Sequence, residues 1–303
     1  MKIKLNQIKR VKTLSQYVEI DQELIEKMAY DIDSREINLL TISQRNKKRK
    51  VINVRSNTYK HILKLLAVYL NEQYEVPDCV CGYVKGKSIL QNSNKHLGKK
   101  YVIKADIKDF FYSISIDKVK EMFMAYSNNE EISILLSKLV TYNGILYPGL
   151  ITSPIISNII LKDLDDDFIE LASMKGCNYS RYADDLTFSS NDKYPSKIEI
   201  ENILRKYDFC LNEKKYFIMK RGHTQVVTGL SVFDDKCPRI PRKIKNKIKT
   251  ACFLASKMSP EGFAQTVSWC SLIEIEGLLN FYYKIEPNFV SKMKRLKRTG
   301  KYK

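Results

Sequence analysis

The sequence predicts an α+β fold in which a small antiparallel sheet packs on helices. Three observations support this prediction. Apolar residues recur at helical spacing over long stretches such as 57–75. A short run rich in β-branched residues at 101–106 indicates a buried strand. The segment NYSRYADDLTFSS then indicates two short strands around a tight turn at Ala183–Asp185.

Length and charge limit the classes of protein to consider. A chain of 303 residues can form one large domain or two to three small subdomains sharing a core. Its 44% hydrophobic and 11% aromatic content is globular and excludes wholesale disorder. The net charge of +18 favours a nucleic-acid partner, because each Lys or Arg on a phosphate releases condensed counterions. A generally basic proteome is the alternative that composition leaves open.

Cysteines and hydropathy indicate the compartment. The seven cysteines are scattered, without the C-x-x-C spacing of a zinc knuckle, and only three histidines accompany them. We therefore expect free thiols in a reducing cytoplasm. The basic N-terminus lacks a signal-peptide pattern, and no apolar stretch reaches the ~20 residues that span a bilayer. The expectation is a cytoplasmic protein with no membrane partner.

The elements follow in chain order. Residues 1–40 carry apolar positions at helical spacing, which predicts short amphipathic helices. The basic run 45–50 predicts a loop or hairpin arm, and 57–75 a helix. The buried strand is expected to end near Asp106. Further helices are predicted at about 115–126, 129–141, 153–173 and 195–208, a further hairpin at 216–233, and basic helices from about 240 onward.

Three aspartates carry the predicted chemistry. Asp184 and Asp185 stand at a hairpin tip between apolar strands, where adjacent carboxylates raise each other's pKa. A divalent cation relieves this repulsion, and Mg²⁺ prefers oxygen ligands of this kind. Asp106, at the end of a separate strand, is the natural third ligand if the strands are neighbours. Three such carboxylates can hold two ions about 4 Å apart for phosphoryl transfer. Taken alone, an Asp-Asp pair is more often part of an ordinary turn than of a metal site.

The order of several segments resembles a known family. IKADIKDFF, GLITSPIISN, YADD, LNEKK and VTGL follow one another as in the motif series of reverse transcriptases. YADD with a downstream VTG, together with Asn92-Ser-Asn-Lys-His96, is similar to the bacterial retron type. The resemblance runs from about Arg45 to Pro287 and implies a right-hand polymerase. It assigns 1–100 to N-terminal helices and fingers, with part of the fingers and palm around 115–175. The palm with the catalytic aspartates is 101–235, and a helical basic thumb is 236–303.

The resemblance also implies roles for individual residues. Asp106, Asp184 and Asp185 match the catalytic metal ligands for two Mg²⁺ ions, and Ile107 adds a backbone contact at the metal site. Phe111 matches the bulky residue that excludes a ribose 2′-hydroxyl. The implied substrate-binding residues are Arg49, Phe111, Gly149 and Lys215, and the implied nucleic-acid-binding residues are Asn92, His96, Tyr182, Thr228, Gly229 and Leu230.

Plainer interpretations of these residues stay open. Phe111 can be core packing, and Lys215 can be a solvated charge in a Lys-Lys pair. His96 can be a satisfied buried histidine, and Gly229 a β-bulge glycine. The chain also departs from the family at Pro148, where relatives often have Gln or Thr.

The implied function is RNA-directed DNA polymerisation. A retron-type enzyme would copy a cognate structured non-coding RNA into a branched, RNA-linked single-stranded DNA (msDNA), within an anti-phage defence system. Its partners would be that RNA and DNA, deoxynucleoside triphosphates, a host RNase H for RNA removal and a defence effector protein. The alternatives are a group II intron-like or diversity-generating reverse transcriptase, or a catalytically silent RNA-binding scaffold.

Overall fold

The computed structural model describes residues 4–31, 33–44 and 47–301. Arg45 and Asn46 of the basic run, and Tyr302 and Lys303 of the basic tail, lie outside the described residues. The helices are α1 Val11–Val18, α2 Gln22–Tyr30, α3 Asn57–Gln73, α4 Ile89–Asn94, α5 Ile116–Ser127, α6 Glu130–Val140, α7 Ser153–Ile160, α8 Lys162–Lys175, α9 Lys197–Lys206, α10 Arg242–Ala255, α11 Pro260–Thr266, α12 Leu272–Tyr283 and α13 Pro287–Thr299. The strands are β1 Ile37–Gln44, β2 Lys47–Val54, β3 Tyr101–Asp106, β4 Asn178–Tyr182, β5 Asp185–Ser190, β6 Phe217–Lys220, β7 Val226–Val227 and β8 Leu230–Ser231.

The N-terminal helices bury the faces that their spacing predicts, with one exception. Ile25 and Met28 of α2 are buried, but Leu24, predicted on the same stripe, is exposed. Helix α3 begins where the Ser56 hydroxyl accepts a hydrogen bond from the backbone N–H of Tyr59 at 3.3 Å, which satisfies an otherwise free donor. The helix predicted over 57–75 is confirmed.

Within the described residues, the central sheet has four antiparallel strands in the order β4-β5-β3-β6. It packs on helices in one large apolar cluster that runs from Leu5 to Leu211. The predicted α+β arrangement is confirmed. Strand β3 is central because β5 pairs along one of its edges and β6 along the other.

Two predicted elements are wrong in detail. The segment 216–233 is not one hairpin: β6 pairs with β3, and the hairpin is confined to β7 and β8. The free edge of β3 takes β6, a long-range pairing that local spacing does not encode. The helix predicted at 153–173 is divided at Leu161, where the backbone leaves helical geometry between α7 and α8.

Residues 47–50 of the basic run lie on β2, which pairs with β1 as predicted for a hairpin arm. Two contacts fasten this hairpin to the body of the protein. The Ile52 N–H donates to the Pro148 carbonyl at 2.9 Å, and the Tyr112 hydroxyl donates to the Lys50 carbonyl at 2.7 Å. Lys48 and Arg49 therefore stand on a strand whose base is fixed.

The C-terminal helices form a second apolar cluster. It comprises buried side chains of α10 to α13, such as Ile248, Leu279 and Met293, together with Leu230. The predicted helices after 240 are confirmed. Among the described residues, none of the helices combines the length and the apolar character needed to cross a bilayer.

Candidate active site

The three predicted aspartates lie together at one end of the sheet. Asp106, the last residue of β3, is the register partner of Asp185, the first residue of β5. The backbone N–H of Ile107 donates to the Asp184 carbonyl at 3.0 Å, which ties the β4–β5 turn to the end of β3. The predicted juxtaposition is confirmed. It follows from antiparallel pairing, because a strand end and a hairpin tip meet at the same edge.

The environment of Asp184 disfavours its ionised form. Burial, followed by the charges of Asp106 and Asp185, raises the pKa of Asp184 from 3.8 to about 6, although Lys215 opposes the rise. Lys215 forms a direct ion pair with Asp106, and its Nζ lies 3.9 Å from Asp184 Oδ2. Lys104 Nζ lies 3.7 Å from Asp185 Oδ1. Two ammonium groups thus offset part of the negative charge.

Two residues that contact the aspartates, Lys104 and Asn212, were not among the site residues predicted from the sequence. Lys104 precedes Asp106 by two residues and so lies on the same face of β3, a signal that strand alternation offered. Asn212 donates from Nδ2 to Asp106 Oδ1 at 2.9 Å, and its backbone N–H donates to the Asp106 carbonyl at 2.8 Å. Only the tertiary fold brings Asn212 to β3.

The donor set fits a divalent metal by its chemistry. In the part of the chain that the structure describes, no group of three His, Cys, Asp or Glu side chains is already closed into a metal-ligand set. The carboxylates of Asp106, Asp184 and Asp185 are nevertheless hard oxygen donors, which Mg²⁺ prefers. Burial, and after it the repulsion from Asp106 and Asp185, raises the pKa of Asp184, and a divalent cation would offset both costs of the ionised carboxyl. These three residues would hold the ions.

Asp106 and Asp184 line a cleft of about 490 Å³. Three predicted substrate residues line it: Arg49, Phe111 and Lys215. Lys48 lines it as well, so two adjacent cations of β2 face the cleft. The arrangement combines a carboxylate end, a cationic wall and an aromatic surface, which suits a nucleoside triphosphate.

Aromatic rings form one surface of the cleft. The Phe111 ring is half-buried and lies 5.0 Å, centroid to centroid, from that of Phe110. Phe110 is itself buried, as core packing predicts. On the other side, the Phe111 ring lies 6.1 Å from that of Tyr83, which is 43% exposed. No sequence pattern predicted a role for Tyr83, a loop residue with a positive φ of 60°.

Gly149 is exposed but is not among the residues that line the cleft, and its predicted contact with substrate stays a prediction. Its φ is +105°, and a Cβ at this position would lie 2.1 Å from the Ile52 carbonyl oxygen. Glycine is required because the chain presses against the backbone of β2. Pro148 lines the cleft instead.

Asn92 and His96, predicted to contact nucleic acid, have completely buried side chains in this structure. His96 Nδ1 lies 2.7 Å from the Ser189 hydroxyl, and Nε2 lies 2.7 Å from the Ser180 hydroxyl. The Ser180 hydroxyl donates to Asn92 Oδ1 at 2.7 Å. This group, hereafter the His96 network, links α4 to β4 and β5.

The remaining predicted nucleic-acid residues have mixed positions. Leu230 is buried in the C-terminal cluster, so a direct contact through its side chain is wrong. Thr228 and Gly229 form the β7–β8 turn with positive φ angles of 44° and 84°, which fits a two-residue hairpin turn. Gly229 is exposed, while Thr228 and Tyr182 are half-buried. These three residues stay candidates for contact.

Sequence comparisons show which known proteins this chain is similar to. A family profile described as "Reverse transcriptase (RNA-dependent DNA polymerase)" matches residues 41–250. The Retron Ec83 reverse transcriptase of Escherichia coli is 26% identical over 286 residues, covering 88% of this chain and 85% of the relative. The Retron Ec73 reverse transcriptase of Escherichia coli is 30% identical over 233 residues, covering 70% of this chain and 72% of the relative. The Retron Ec86 reverse transcriptase of Escherichia coli is 32% identical over 158 residues, which span 51% of this chain and 49% of the relative.

Proposed function

Because the chain belongs to the reverse transcriptase family, in its bacterial retron type, we propose that it makes msDNA. RNA-directed DNA polymerisation is the activity of the family. The template is a cognate structured non-coding RNA, and a 2′-hydroxyl of that RNA is the primer. The product is a branched, RNA-linked single-stranded DNA.

One observation carries the proposal. Asp106, Asp184 and Asp185 meet at the end of two neighbouring strands, and Asp106 and Asp184 line a cleft with cationic and aromatic walls. Two Mg²⁺ ions, when bound there with Ile107 beside them, would lower the pKa of the priming hydroxyl and offset charge on the departing phosphates. A purely RNA-binding scaffold has no need for three converging carboxylates.

The side chains of the cleft have distinct tasks in this proposal. Arg49 and Lys48 bind the triphosphate from the β2 side, where guanidinium and ammonium donors meet phosphate oxygens. Lys215 exchanges its ion pair with Asp106 for the pyrophosphate and stabilises its departure. Phe111 lies under the sugar, where a 2′-hydroxyl would meet the ring.

The domain assignment is part of the proposal. Fingers comprise 1–100 and part of 115–175, the palm is 101–235, and the thumb is 236–303. The separation of the apolar core into a cluster ending at Leu211 and one beginning at Leu230 supports a boundary near the end of the palm. The exposed turn at Gly229 is then placed to meet the primer strand.

The partners follow from the chemistry of the product. The +18 charge supports a polyanionic RNA held through its backbone and unpaired loops. We further propose that host RNase H removes copied RNA, that a defence effector acts with the complex against phage, and that the complex is cytoplasmic.

Deoxynucleotide incorporation on a primed RNA template, with and without Mg²⁺, tests the proposal. We expect metal-dependent extension by the wild type and none by the Asp184→Asn, Asp185→Asn variant. Asp117→Asn, an exposed aspartate on α5 away from the cleft, is the matched control and should be fully active. Absence of incorporation on several templates, including the co-purifying RNA, would favour the scaffold alternative.

The RNA that co-purifies with the protein tests the retron assignment. We expect one structured species that survives moderate salt and primes its own copying. After ribonuclease digestion, the DNA should retain a ribonucleotide joined through a 2′ linkage. Random fragments that wash away, with a linear product, would favour the intron-like or diversity-generating alternative.

A further inference from the structure

A buried ion pair lies directly behind the turn that carries Asp184 and Asp185. Arg181 of β4 and Asp165 of α8 are both fully buried. Arg181 Nε donates to Asp165 Oδ1 at 2.9 Å, and Nη2 donates to Oδ2 at 2.6 Å. The Tyr179 hydroxyl also donates to Asp165 Oδ1 at 2.8 Å. The pair is bidentate and fixed in orientation.

The third nitrogen of the guanidinium reaches the turn itself. Arg181 Nη1 donates to the Ala183 carbonyl at 3.3 Å and to Asn158 Oδ1 at 3.0 Å. Asn158 Nδ2 in turn donates to the Gly82 carbonyl at 3.1 Å. The guanidinium therefore connects α7, α8 and the Gly82 segment to the backbone between the two strands.

That backbone is held in an unfavourable conformation. Ala183 has a φ of 59°, in the left-handed region that residues with a Cβ rarely occupy. Its methyl side chain offers no hydrogen bond to offset the strain. On the other side, Gly82 packs so closely that a Cβ there would stand 2.3 Å from the Ala183 backbone nitrogen. The turn is clamped between Gly82 and the guanidinium.

We propose that Arg181, oriented by Asp165, is a positioning residue that holds the strained Ala183 turn and thereby sets the geometry of the Asp184 and Asp185 carboxylates. A buried ion pair adds little net stability over well-packed apolar residues of similar volume. What the planar guanidinium adds is a fixed donor aimed at one carbonyl. The inference rests on the proposed function of the aspartates.

The test separates positioning from stability. The variant Arg181→Met, Asp165→Leu, Tyr179→Phe replaces the pair by apolar side chains and leaves no buried charge or unpaired phenol. We expect a moderately lower melting temperature, because the buried Asn158 Oδ1 and the Ala183 carbonyl lose their donor. Assayed below that temperature, the folded variant should have a kcat for incorporation lower by about 100-fold and a KM for deoxynucleotide within a few-fold, because misplacement by about 1 Å has effects of this order. Arg181→Lys, which keeps the charge but loses the planar fork, should show the same split between kcat and KM.

Arg35→Lys is the matched control. Arg35 is also buried, but it donates to the backbone carbonyls of Met28, Ala29, Lys138 and Thr141, on another part of the fold. The Arg35→Lys substitution should lower the melting temperature without changing the kcat of the folded protein. If the apolar variant does not fold, Arg181→Lys, assayed below its melting temperature, decides the same question.

Binding of Mn²⁺, followed by electron paramagnetic resonance, gives a readout independent of turnover. The Arg181 variants should bind Mn²⁺ at least ~10-fold more weakly than the wild type and Arg35→Lys, since displaced carboxylates chelate poorly. Wild-type Mn²⁺ affinity in a folded Arg181 variant would overturn the positioning role. Wild-type protein that binds Mn²⁺ but incorporates no nucleotide would instead count against the proposed function.

Discussion

Two groups of polar residues lie along the β4–β5 hairpin, and they differ in almost every physical respect. At the turn, the side chains of Asp184 and Asp185 are 33% and 32% exposed. With Asp106 they bring three carboxylates together beside only two ammonium groups, those of Lys104 and Lys215. Farther along the strands, the His96 network is completely buried, and its hydrogen-bonding groups find partners. Both groups were singled out from sequence segments that resemble one family.

The difference shows which polar residues serve chemistry. The Ser180 hydroxyl has a single proton, which it donates to Asn92 Oδ1, so it accepts from His96 Nε2–H. Burial keeps the imidazole neutral, so its one proton is on Nε2 and Nδ1 accepts from the Ser189 hydroxyl. Burial, followed by the charges of Lys95 and Lys99, lowers its pKa to about 3. A satisfied, neutral group of this kind stabilises the fold, whereas a strained and accessible carboxylate group is available for ligands.

Asp184→Asn should give the largest effect. We expect incorporation to fall by about 10³-fold or more, because one oxygen ligand and its charge are lost. The melting temperature in metal-free buffer at pH 8 should stay the same or rise, because the raised pKa shows that the ionised carboxyl is disfavoured in the fold. Primer extension and thermal unfolding measure the two effects. A marked fall in melting temperature would mean that the aspartate group, like the His96 network, is structural.

His96→Ala should show the opposite pattern. The change leaves the Ser180 and Ser189 hydroxyls without their partner and opens a cavity. We expect about 2–4 kcal/mol lower free energy of unfolding, measured by urea denaturation. Incorporation per folded molecule should stay within a few-fold of the wild type. Loss of activity at full stability would restore a direct functional role for His96.

Phe111→Ala tests the aromatic side of the cleft. We expect discrimination against ribonucleotides to weaken by about 10- to 100-fold, since a pocket that rejects a hydroxyl by size alone works in this range. The ratio of kcat/KM for deoxynucleotide and ribonucleotide measures the effect. Phe110→Leu, at the buried neighbour, is the control and should leave the ratio unchanged. An unchanged ratio in Phe111→Ala would reject the gate.

The smallest expected effect is a pH dependence of the free energy of unfolding that arises from His96. The folded-state pKa of His96, about 3, lies below the ordinary 6.5, so protons bind preferentially to the unfolded chain. Its contribution to stability is complete above pH 6.5 and is lost as pH falls from 6.5 towards 3, at about 1.4 kcal/mol per pH unit. Urea denaturation at pH 7, 6 and 5 should show this extra slope in the wild type but not in His96→Gln. Equal slopes would mean that the imidazole is not held neutral.

Local sequence patterns predicted the helices, strands and turns but did not predict several of the pairings between strands. The helix over 57–75, the strand ending at Asp106 and the Ala183–Asp185 turn form as their spacing predicts. The hairpin predicted at 216–233 failed because β6 pairs with β3, more than a hundred residues away. Periodicity describes one element at a time, whereas pairing depends on which sheet edge is free.

The residue roles divide in the same way. The positions of Arg49 and Lys215 at the cleft agree with the family resemblance. Gly149 packs against the backbone of β2, and Asn92 is enclosed by β4 and the β7–β8 turn, contacts that the sequence motifs do not indicate. A sequence segment identifies a residue as important but does not say whether water or substrate can reach it.

The sequence by itself determined that three carboxylates end short apolar strands in a strongly basic chain, because residue type, charge and strand period are local properties. Only the tertiary structure decided that Asn212 and Lys215 reach Asp106 from a distant segment, and that a buried guanidinium lies behind the Asp184–Asp185 turn. Burial and hydrogen-bond partners arise from segments distant in the chain, and these long-range contacts decide whether a polar side chain is accessible to substrate or enclosed within the fold.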